Sequence, residues 1–532
     1  MILKNSIYKL TFAAMISMMA MNAGEASAQG KASKTHTETF PVVAAQKGDK
    51  AFTLEDLNFG GNNYRNMVAK NRWCTWWGDE LVRQDIDACY LVNKTTGKET
   101  KLFSIDQINQ WIAPTKDIKV RALYNAQFPF AGKSIVMVSN GSKLFTIDFK
   151  KHKLISEMEY AEGESLLEAN AQQNAFAYLK GSNLYVRTFD VANYNAMTKD
   201  KKSHDFQIST DGSREIVYGQ SVHRDEFGIS KGTFWSPNGE KLAFYRMDQS
   251  MVTDYPQVDI PEIGFDHLET QSCIATPAPD KYPMAGETSH KVTVGVFDCL
   301  TGKTIYLKAG DPTDRYFTNI AWSPNGKTIY MFELNRDQND CRLTAYSAET
   351  GEKTGELYRE TDEKYVEPCH PIQFLPWDSS SFIMQSRKDG YNHLYLCTLG
   401  KHGSRMASNT ESLEIKQLTS GKWEVMDVLG FNAKNKSIII ASNECSPTQR
   451  NIFSVDPKTG KRKMIDDCGK GWRNATLSQN GEYIYDNSST PTLPRKIAIV
   501  NTRATLCCLP CGCRACLRCR DRGGCSHPCG SA

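Results

Sequence analysis

Two groups of residues in the middle of the chain could do chemistry. Gly228, Ser230 and Gly232 fit the Gly-x-Ser-x-Gly pattern of a serine-hydrolase nucleophile elbow, in which the serine hydroxyl attacks a carbonyl carbon. Just before them, Asp225 and Glu226 place two carboxylates side by side, an arrangement that suits a cation. The two motifs indicate different functions, because the first would cut a substrate and the second would hold one.

The surroundings of Ser230 argue against a nucleophile. An elbow needs an apolar strand before the serine and a helix after it, so that the hydroxyl is exposed beside an oxyanion hole. Here the charged sequence SVHRDEF precedes the motif, and TFWSPNG, which predicts a strand and a turn, follows it. We therefore expect no catalytic residue, and a structural role for the two glycines at a bend or strand entry. His223 is expected to be a partly buried or surface histidine, since no triad partner is in place.

Repeated strands must position these residues. The sequence Trp-Ser-Pro-Asn-Gly begins at Trp235 and again at Trp322, each time before an alternating hydrophobic run, and weaker copies recur along the chain. Turn residues followed by a hydrophobic period of two indicate a half-buried strand. About eight such units, at a spacing of about 40 to 60 residues, predict an all-β fold, an eight-bladed β-propeller of four-stranded antiparallel blades. The alternative is an array of separate β-sandwiches, but linkers rich in Pro, Gly or Ser are not evident.

The two ends of the chain differ from its body. Residues 1–28 read as an export signal, with a basic start, a short apolar run and an Ala-Ser-Ala cleavage site. A membrane anchor is the alternative, but the run is short for one. Residues 29–50 form a polar, flexible lead-in, residues 51–500 the propeller, and residues 501–532 a Cys-, Arg- and Gly-rich tail that is out of frame or disordered. We predict an exported protein, periplasmic or at the outer surface of a Gram-negative bacterium.

Charge and cysteine content narrow the function classes. The chain has 532 residues, and its 64 basic residues are interleaved with 60 acidic ones, so no nucleic-acid partner is expected. Eight of the 17 cysteines crowd into the last 26 residues. Their spacing leaves a zinc site open, but an abrupt change of composition favours a foreign tail, and we predict no metal and no cofactor. The other nine are scattered, and one or two disulfides are expected among them.

Two local features can also be predicted. Thr53 and Asp56 have the spacing of a capping box, which predicts a helical turn ahead of the repeats. The segment from Asp266 to His290 is too long for a hairpin and carries three prolines. We interpret this segment as an insertion between strands or an oligomer contact.

Several long stretches resemble the dipeptidyl peptidase IV family of serine exopeptidases. They include the run around the acidic doublet, KYPMAGETSHKVTVGVFD from Lys281 and SRKDGYNHLYLCTL from Ser386. The likeness covers roughly residues 52–500. It implies an eight-bladed propeller followed by an α/β-hydrolase domain with Ser, Asp and His. Nothing after Val500 resembles that domain, so the expectation is the N-terminal propeller alone, inactive by itself, from an enzyme that releases Xaa-Pro or Xaa-Ala dipeptides. The alternative is a non-catalytic periplasmic propeller that binds a protein or peptide.

The resemblance also implies a binding site. It places a pair of glutamates that hold the substrate N-terminus onto Asp225 and Glu226, with the first one methylene shorter than in the family. Arg224 is a candidate for orienting one of these acids. The family's arginine for the substrate carbonyl has no secure counterpart here. The implied partners are peptides with a free N-terminus, with no membrane contact after signal removal, and a homodimer is left open.

Overall fold

A computed structural model of the chain describes residues 53–503, apart from residues 60, 62, 65–68, 70, 113–118, 160, 190–202, 261–273, 401–412 and 467–470. The predicted signal, the lead-in and all but the first three residues of the predicted tail lie outside the described residues. The chain divides into a short unit that ends at Asn71 and a large unit that begins at Arg72. None of the helices found in the described ranges has the length and apolar character needed to cross a membrane.

The short unit contains helix α1 (Leu54–Leu57). The Thr53 hydroxyl accepts a hydrogen bond from the Asp56 N–H at 3.2 Å, and the Asp56 carboxylate accepts one from the Thr53 N–H at 2.9 Å. This reciprocal pair is the predicted capping box, which satisfies two backbone donors that a helix start leaves without partners.

The large unit is an eight-bladed β-propeller of antiparallel blades, which confirms the predicted fold. Blade 1 contains β1 (Trp73–Trp77), β2 (Glu80–Gln84), β3 (Ala88–Val92) and β4 (Glu99–Ser104), and helix α2 (Ile105–Trp111) follows it. Blade 2 contains β5 (Ile135–Ser139), β6 (Lys143–Asp148) and β7 (Lys153–Glu159). Blade 3 contains β8 (Glu164–Ala169), β9 (Ala175–Lys180), β10 (Asn183–Phe189) and β11 (Ser203–Gln207). Blade 4 contains β12 (Ile216–Tyr218), β13 (Thr233–Trp235), β14 (Lys241–Asp248), β19 (Lys291–Asp298) and β20 (Lys303–Tyr306).

Blades 5 to 8 complete the ring. Blade 5 contains β21 (Arg315–Trp322), β22 (Thr328–Asn335), β23 (Asp340–Ser347) and β24 (Lys353–Thr361). Blade 6 contains β25 (Gln373–Leu375), β26 (Asp378–Ser386), β27 (His393–Leu399) and β28 (Leu413–Gln417). Blade 7 contains β29 (Val425–Asn432), β30 (Ser437–Ser442), β31 (Asn451–Val455) and β32 (Arg462–Met464). Blade 8 contains β33 (Trp472–Leu477), β34 (Tyr483–Thr490) and β35 (Leu493–Asn501).

Three blades vary the four-stranded pattern. In blade 2 a single bridge between Gln127 and Met137 stands beside three strands. In blade 4 the first strand is split into β12 and β13, which both pair with β14. Blade 8 has three strands in its described residues.

The repeated Ser-Pro-Asn-Gly sequence makes the same turn in blades 4 and 5. The Ser236 hydroxyl accepts a hydrogen bond from the Lys241 N–H at 2.9 Å, and Gly239 has a φ of +73°, which favours glycine. In blade 5 the Ser323 hydroxyl accepts from the Thr328 N–H at the same distance. The sequence signal therefore marks a turn that feeds the second strand of a blade.

Adjacent blades are held together by apolar side chains on facing sheets. Between blades 4 and 5, Tyr245 and Val294 of one sheet belong to the same buried cluster as Phe317 and Ile329 of the other. Burying each such side chain contributes about 1.5 to 3 kcal/mol. Blades 8 and 1 are joined as well, since the Trp76 indole N–H donates to the Thr476 hydroxyl at 3.1 Å.

An inserted arm leaves blade 4 between β14 and β19. It contains two short ladders, in which β15 (Asp254–Tyr255) pairs with β18 (Asp280–Lys281) and β16 (Val258–Asp259) pairs with β17 (Thr276–Pro277). The segment predicted as an insertion is thus an insertion between strands, and it begins before Asp266.

Most of the scattered cysteines that the structure describes do not form disulfides. Six of the nine scattered cysteines carry free thiols, namely Cys74, Cys89, Cys299, Cys341, Cys369 and Cys397. Cys273 and Cys468 lie outside the described residues. Burial raises the pKa of the Cys89 and Cys397 thiols to about 12, so these two are inert packing residues.

Candidate functional site

The acidic doublet lies where the first strand of blade 4 is interrupted. Strand β12 ends at Tyr218 and β13 begins at Thr233, and between them a 3-10 turn spans His223–Gly228. The first strand of a propeller blade lines the central channel. The interruption therefore places Asp225 and Glu226 on a turn at the inner edge of this sheet. We call the segment His223–Gly228 the acidic turn.

The backbone of the acidic turn is strained. Four residues have positive φ angles of +54° to +63°, namely His223, Arg224, Asp225 and Phe227. Each costs roughly 1 to 2 kcal/mol relative to a right-handed conformation. Such residues persist only where the surroundings over-determine them, and they cluster at functional sites. The contacts that hold the turn are therefore part of the site.

A pair of buried histidines anchors the start of the turn. His223 is 2% exposed, and its Nδ1 lies 2.8 Å from Nε2 of His290. Because the Phe317 N–H donates to His223 Nε2 at 3.3 Å, that nitrogen is an acceptor and Nδ1 carries the proton. Burial lowers the pKa of His223 well below its usual range and that of His290 to about 4, so both rings are neutral. The prediction of a partly buried or surface histidine was wrong: His223 is fully buried, because a second histidine satisfies its ring.

The end of the turn is held by Phe227. Its buried ring packs against Tyr316 at 5.1 Å between centroids. Its carbonyl accepts a hydrogen bond from the Asn319 side-chain amide at 3.0 Å, and the same amide also donates to the carbonyl of Pro368. One buried asparagine therefore ties the acidic turn to the segment that enters blade 6.

The two glycines of the Gly-x-Ser-x-Gly motif have the predicted structural role. Gly228 has a φ of +72°, and a Cβ there would lie 2.2 Å from the carbonyl oxygen of Cys369. A Cβ on Gly232 would lie 1.9 Å from the carbonyl oxygen of Gln220. Ser230 is exposed on the connection that leads into β13, so it has no elbow between a strand and a helix. The motif therefore marks close packing of the backbone at its two glycines.

Both carboxylates of the doublet are exposed. Within the described part of the chain neither Asp225 nor Glu226 forms a side-chain hydrogen bond or an ion pair. The charge of Glu226 reaches Cys369, whose thiol pKa is raised by burial and then by the charges of Glu367 and Glu226. The turn thus presents two acids without partners next to the segment that enters blade 6.

Arg224 points its guanidinium at the inserted arm. Its Nη1 lies 2.6 Å from Oδ2 of Asp280, and its Cζ lies 5.1 Å from the ring centroid of Tyr282. In the described residues its ion pair is with the arm and not with Asp225 or Glu226. An orienting effect of Arg224 on either acid stays a prediction, and any such effect would act through the arm.

The sequence did not identify the supporting residues. His290 and Asn319 lie 67 and 92 positions away from the turn residues that they contact. Nothing in their local patterns marks them, apart from the position of His290 just after the Tyr-Pro-x-Ala-Gly segment. On the neighbouring blade, the Glu168 carboxylate pairs with Lys231 at 2.6 Å. In the ranges that the structure describes, no group of three His, Cys, Asp or Glu side chains is arranged to hold a metal ion.

Comparison with known proteins matches this chain to one family. The family model for the "Dipeptidyl peptidase IV (DPP IV) N-terminal region" matches residues 130–495. A probable dipeptidyl-aminopeptidase B of Pyrenophora tritici-repentis is 24% identical over 484 residues, covering 85% of this chain and 50% of the relative. One of Talaromyces marneffei is 26% identical over 377 residues, covering 68% of this chain and 40% of the relative. The chain thus spans half or less of the length of these relatives.

Two solved structures are similar as well. A protein assigned as a dipeptidyl aminopeptidase IV from Bacteroides ovatus is 40% identical, with a TM-score of 0.73 over 86% of this chain and 61% of that one. Dipeptidyl peptidase 4 of Porphyromonas gingivalis is 20% identical, with a TM-score of 0.63 and the same coverage of both chains. The second likeness concerns the fold alone.

Proposed function

Because the chain belongs to the dipeptidyl peptidase IV family, whose N-terminal region it matches, we propose that its propeller admits peptides and holds their free N-terminus at the acidic turn. Glu226 is the principal contact to the peptide α-ammonium, and Asp225 is the second. The observation that carries this proposal is a pair of exposed, unpaired carboxylates on a strained turn that buried residues hold at both ends.

The chemistry of two adjacent acids explains the selectivity. A peptide α-ammonium donates charge-assisted hydrogen bonds, which are short and directional, whereas an internal peptide nitrogen carries no charge. Two neighbouring carboxylates repel each other when the site is empty, and a bound cation relieves that repulsion. A fixed turn also sets how many residues lie between the held N-terminus and the bond to be cut.

Cleavage belongs to another part of such an enzyme. The similar Bacteroides ovatus protein carries the name dipeptidyl aminopeptidase IV, which supports release of N-terminal dipeptides as the activity of the whole protein. The resemblance to the family implies Pro or Ala in second place. We assign the chemical step to an α/β-hydrolase domain with a Ser-Asp-His triad and not to Ser230. Residues 1–28 support action after export, in the periplasm or at the outer surface.

Binding of a proline-containing tetrapeptide tests the proposal. By titration calorimetry, the chain should bind Gly-Pro-Gly-Gly with a free N-terminus and bind the N-acetylated peptide at least tenfold more weakly. Glu226→Gln should remove most of this difference, because one charge-assisted hydrogen bond is worth about 1.5 to 3 kcal/mol, or about ten- to a hundredfold. Asp225→Asn should have a smaller effect.

A matched control is available in Glu349, an exposed glutamate on the turn between β23 and β24. Glu349→Gln makes the same chemical change and should leave both affinities unchanged. Equal affinity of the wild type for the free and acetylated peptides would overturn the proposal and favour a binding module of another kind. Turnover of Gly-Pro-p-nitroanilide by the chain, lost in Ser230→Ala, would overturn the assignment of the chemical step.

A further inference from the structure

We propose that the return segment of the inserted arm, from Asp280 to His290, is the positioning element of the acidic turn, and that Arg224 is a positioning residue that acts through it. This inference rests on the proposed function. It assigns Arg224 a role in peptide binding without any contact to the peptide.

The return segment meets the acidic turn on both of its sides. On the buried side His290 receives the ring N–H of His223 at 2.8 Å. On the exposed side Asp280 pairs with Arg224 at 2.6 Å, and Tyr282 lies under the guanidinium at 5.1 Å. One segment therefore fixes the residue that opens the turn and the residue that directly precedes the two acids.

The exposed crest of the turn has little other support. His223 and Phe227 are buried, but Arg224, Asp225 and Glu226 between them are exposed. The Asp225 N–H donates to the carbonyl of Val222 at 3.1 Å, which fixes the backbone but neither carboxylate. Since Arg224 and Asp225 are both left-handed, release of the Arg224 side chain would let the crest relax toward favourable φ angles.

The base of the arm is itself attached to the body of blade 4. The Arg214 guanidinium donates to Asp254 at 2.5 Å and to the carbonyl of Pro279 at 2.7 Å. Lys281 donates to the carbonyl of Val252 at 2.8 Å. Asp280 is thus held by its neighbours on each side, which makes it a fixed point against which Arg224 can be placed.

The direction in which one substitution changes peptide affinity distinguishes a positioning role of Arg224 from a purely electrostatic one. Arg224→Gln removes a positive charge next to the two acids, so Coulomb's law alone predicts tighter binding of a peptide ammonium. If Arg224 instead holds the crest in place, the same substitution weakens binding of the free-N-terminus peptide. We expect a loss of about three- to tenfold in affinity, because a partly exposed ion pair and a cation–π contact each contribute modestly.

The experiment is a double-mutant cycle on the full chain with Gly-Pro-Gly-Gly and its acetylated form. Arg224→Gln and Asp280→Asn should each weaken binding of the free peptide and leave the acetylated peptide unaffected, and the double variant should lose no more than either single one. Tyr282→Ala should also weaken binding, whereas Tyr282→Phe, which keeps the ring, should restore the wild-type affinity. Thermal melting checks that all variants remain folded.

A distant ion pair of the same length supplies the control. Arg462 lies 2.6 Å from Glu444 in blade 7, and Arg462→Gln should not change binding of either peptide. Unchanged or tighter binding by Arg224→Gln, or additive losses in the double variant, would overturn the role of the return segment. If Glu226→Gln still removes most of the difference between the free and the acetylated peptide in that case, the proposed function survives. If Glu226→Gln has no effect, the proposed function itself fails.

Discussion

Replacing Gly228 with alanine should displace the acidic turn, because the added methyl group would clash with the backbone of Cys369. Gly228 has a φ of +72°, and a Cβ there would lie 2.2 Å from the carbonyl oxygen of Cys369, about 0.8 Å inside the 3.0 Å limit of real Cβ contacts. The neighbour is backbone, so it cannot rotate away. Gly132 offers a matched control, because its φ is +70° and nothing lies within 4 Å of a Cβ placed there.

Both substitutions put alanine in a left-handed conformation, but only Gly228→Ala also creates a steric clash. A left-handed alanine costs roughly 1 to 2 kcal/mol at either position, and the lower entropy of the unfolded chain offsets about 0.4 to 1 kcal/mol of it. Forcing an extra methyl group into a packed contact costs a further 1 to 3 kcal/mol, roughly, at Gly228 alone. Gly228→Ala should therefore lower the free energy of unfolding by about 1 to 3 kcal/mol more than Gly132→Ala does.

Urea unfolding followed by tryptophan fluorescence measures both costs. Because the methyl group pushes the acidic turn away from Cys369, Gly228→Ala should also weaken binding of a peptide with a free N-terminus, and Gly132→Ala should not. Equal destabilisation by the two variants would show that the turn does not pack against Cys369 as described. Glu226 would then not be held in place by this contact.

Two further changes probe the buried supports of the turn. Asn319→Ala removes the amide that donates to the carbonyls of Phe227 and Pro368. It should lower the free energy of unfolding by about 1 to 3 kcal/mol for each carbonyl left without a partner. A total loss below about 1 kcal/mol in urea unfolding would contradict this. The pKa values of His223 and His290 are lowered from about 6.5, that of His290 to about 4, so the unfolded chain binds more protons than the folded one between these values. Stability should therefore fall as the pH drops from 6.5 toward 4, by at most about 1.4 kcal/mol per pH unit for each histidine. His290→Gln should flatten this slope, and an identical slope in the variant would refute the buried neutral pair.

Local sequence patterns predicted the elements of the fold. The capping box of Thr53 and Asp56 depends on residues three positions apart, and the blade turns depend on five-residue sequences. Such signals depend on interactions between residues close in sequence, so they can be recognised without knowing the tertiary structure. The doublet itself was located by its resemblance to a family and not by its chemistry, because an Arg-Asp-Glu run is ordinarily a solvated surface.

The contacts that support the acidic turn could not be predicted, because they depend on how neighbouring blades and the inserted arm pack together. Asn319 belongs to blade 5, yet its amide binds a carbonyl in blade 4 and another in the segment before blade 6. The burial of His223 likewise depends on His290, which comes close only after the inserted arm has returned. The direction of Arg224, toward Asp280, also follows from the path of the arm. These contacts are set by tertiary structure, and no periodicity in the chain encodes them.

Proton uptake on peptide binding shows whether the acidic turn holds a charged α-ammonium. A free peptide α-amino group has a pKa of about 7.7 to 8.0, so near pH 8 about half of the peptide is uncharged in solution. If binding requires the charged form, Gly-Pro-Gly-Gly should take up about half a proton per complex at pH 8. Calorimetry in two buffers of different ionisation enthalpy measures this uptake. We expect this uptake for the wild type and for Glu349→Gln, and we expect Glu226→Gln to lose both the uptake and the affinity. Tight binding with no proton uptake would contradict this expectation.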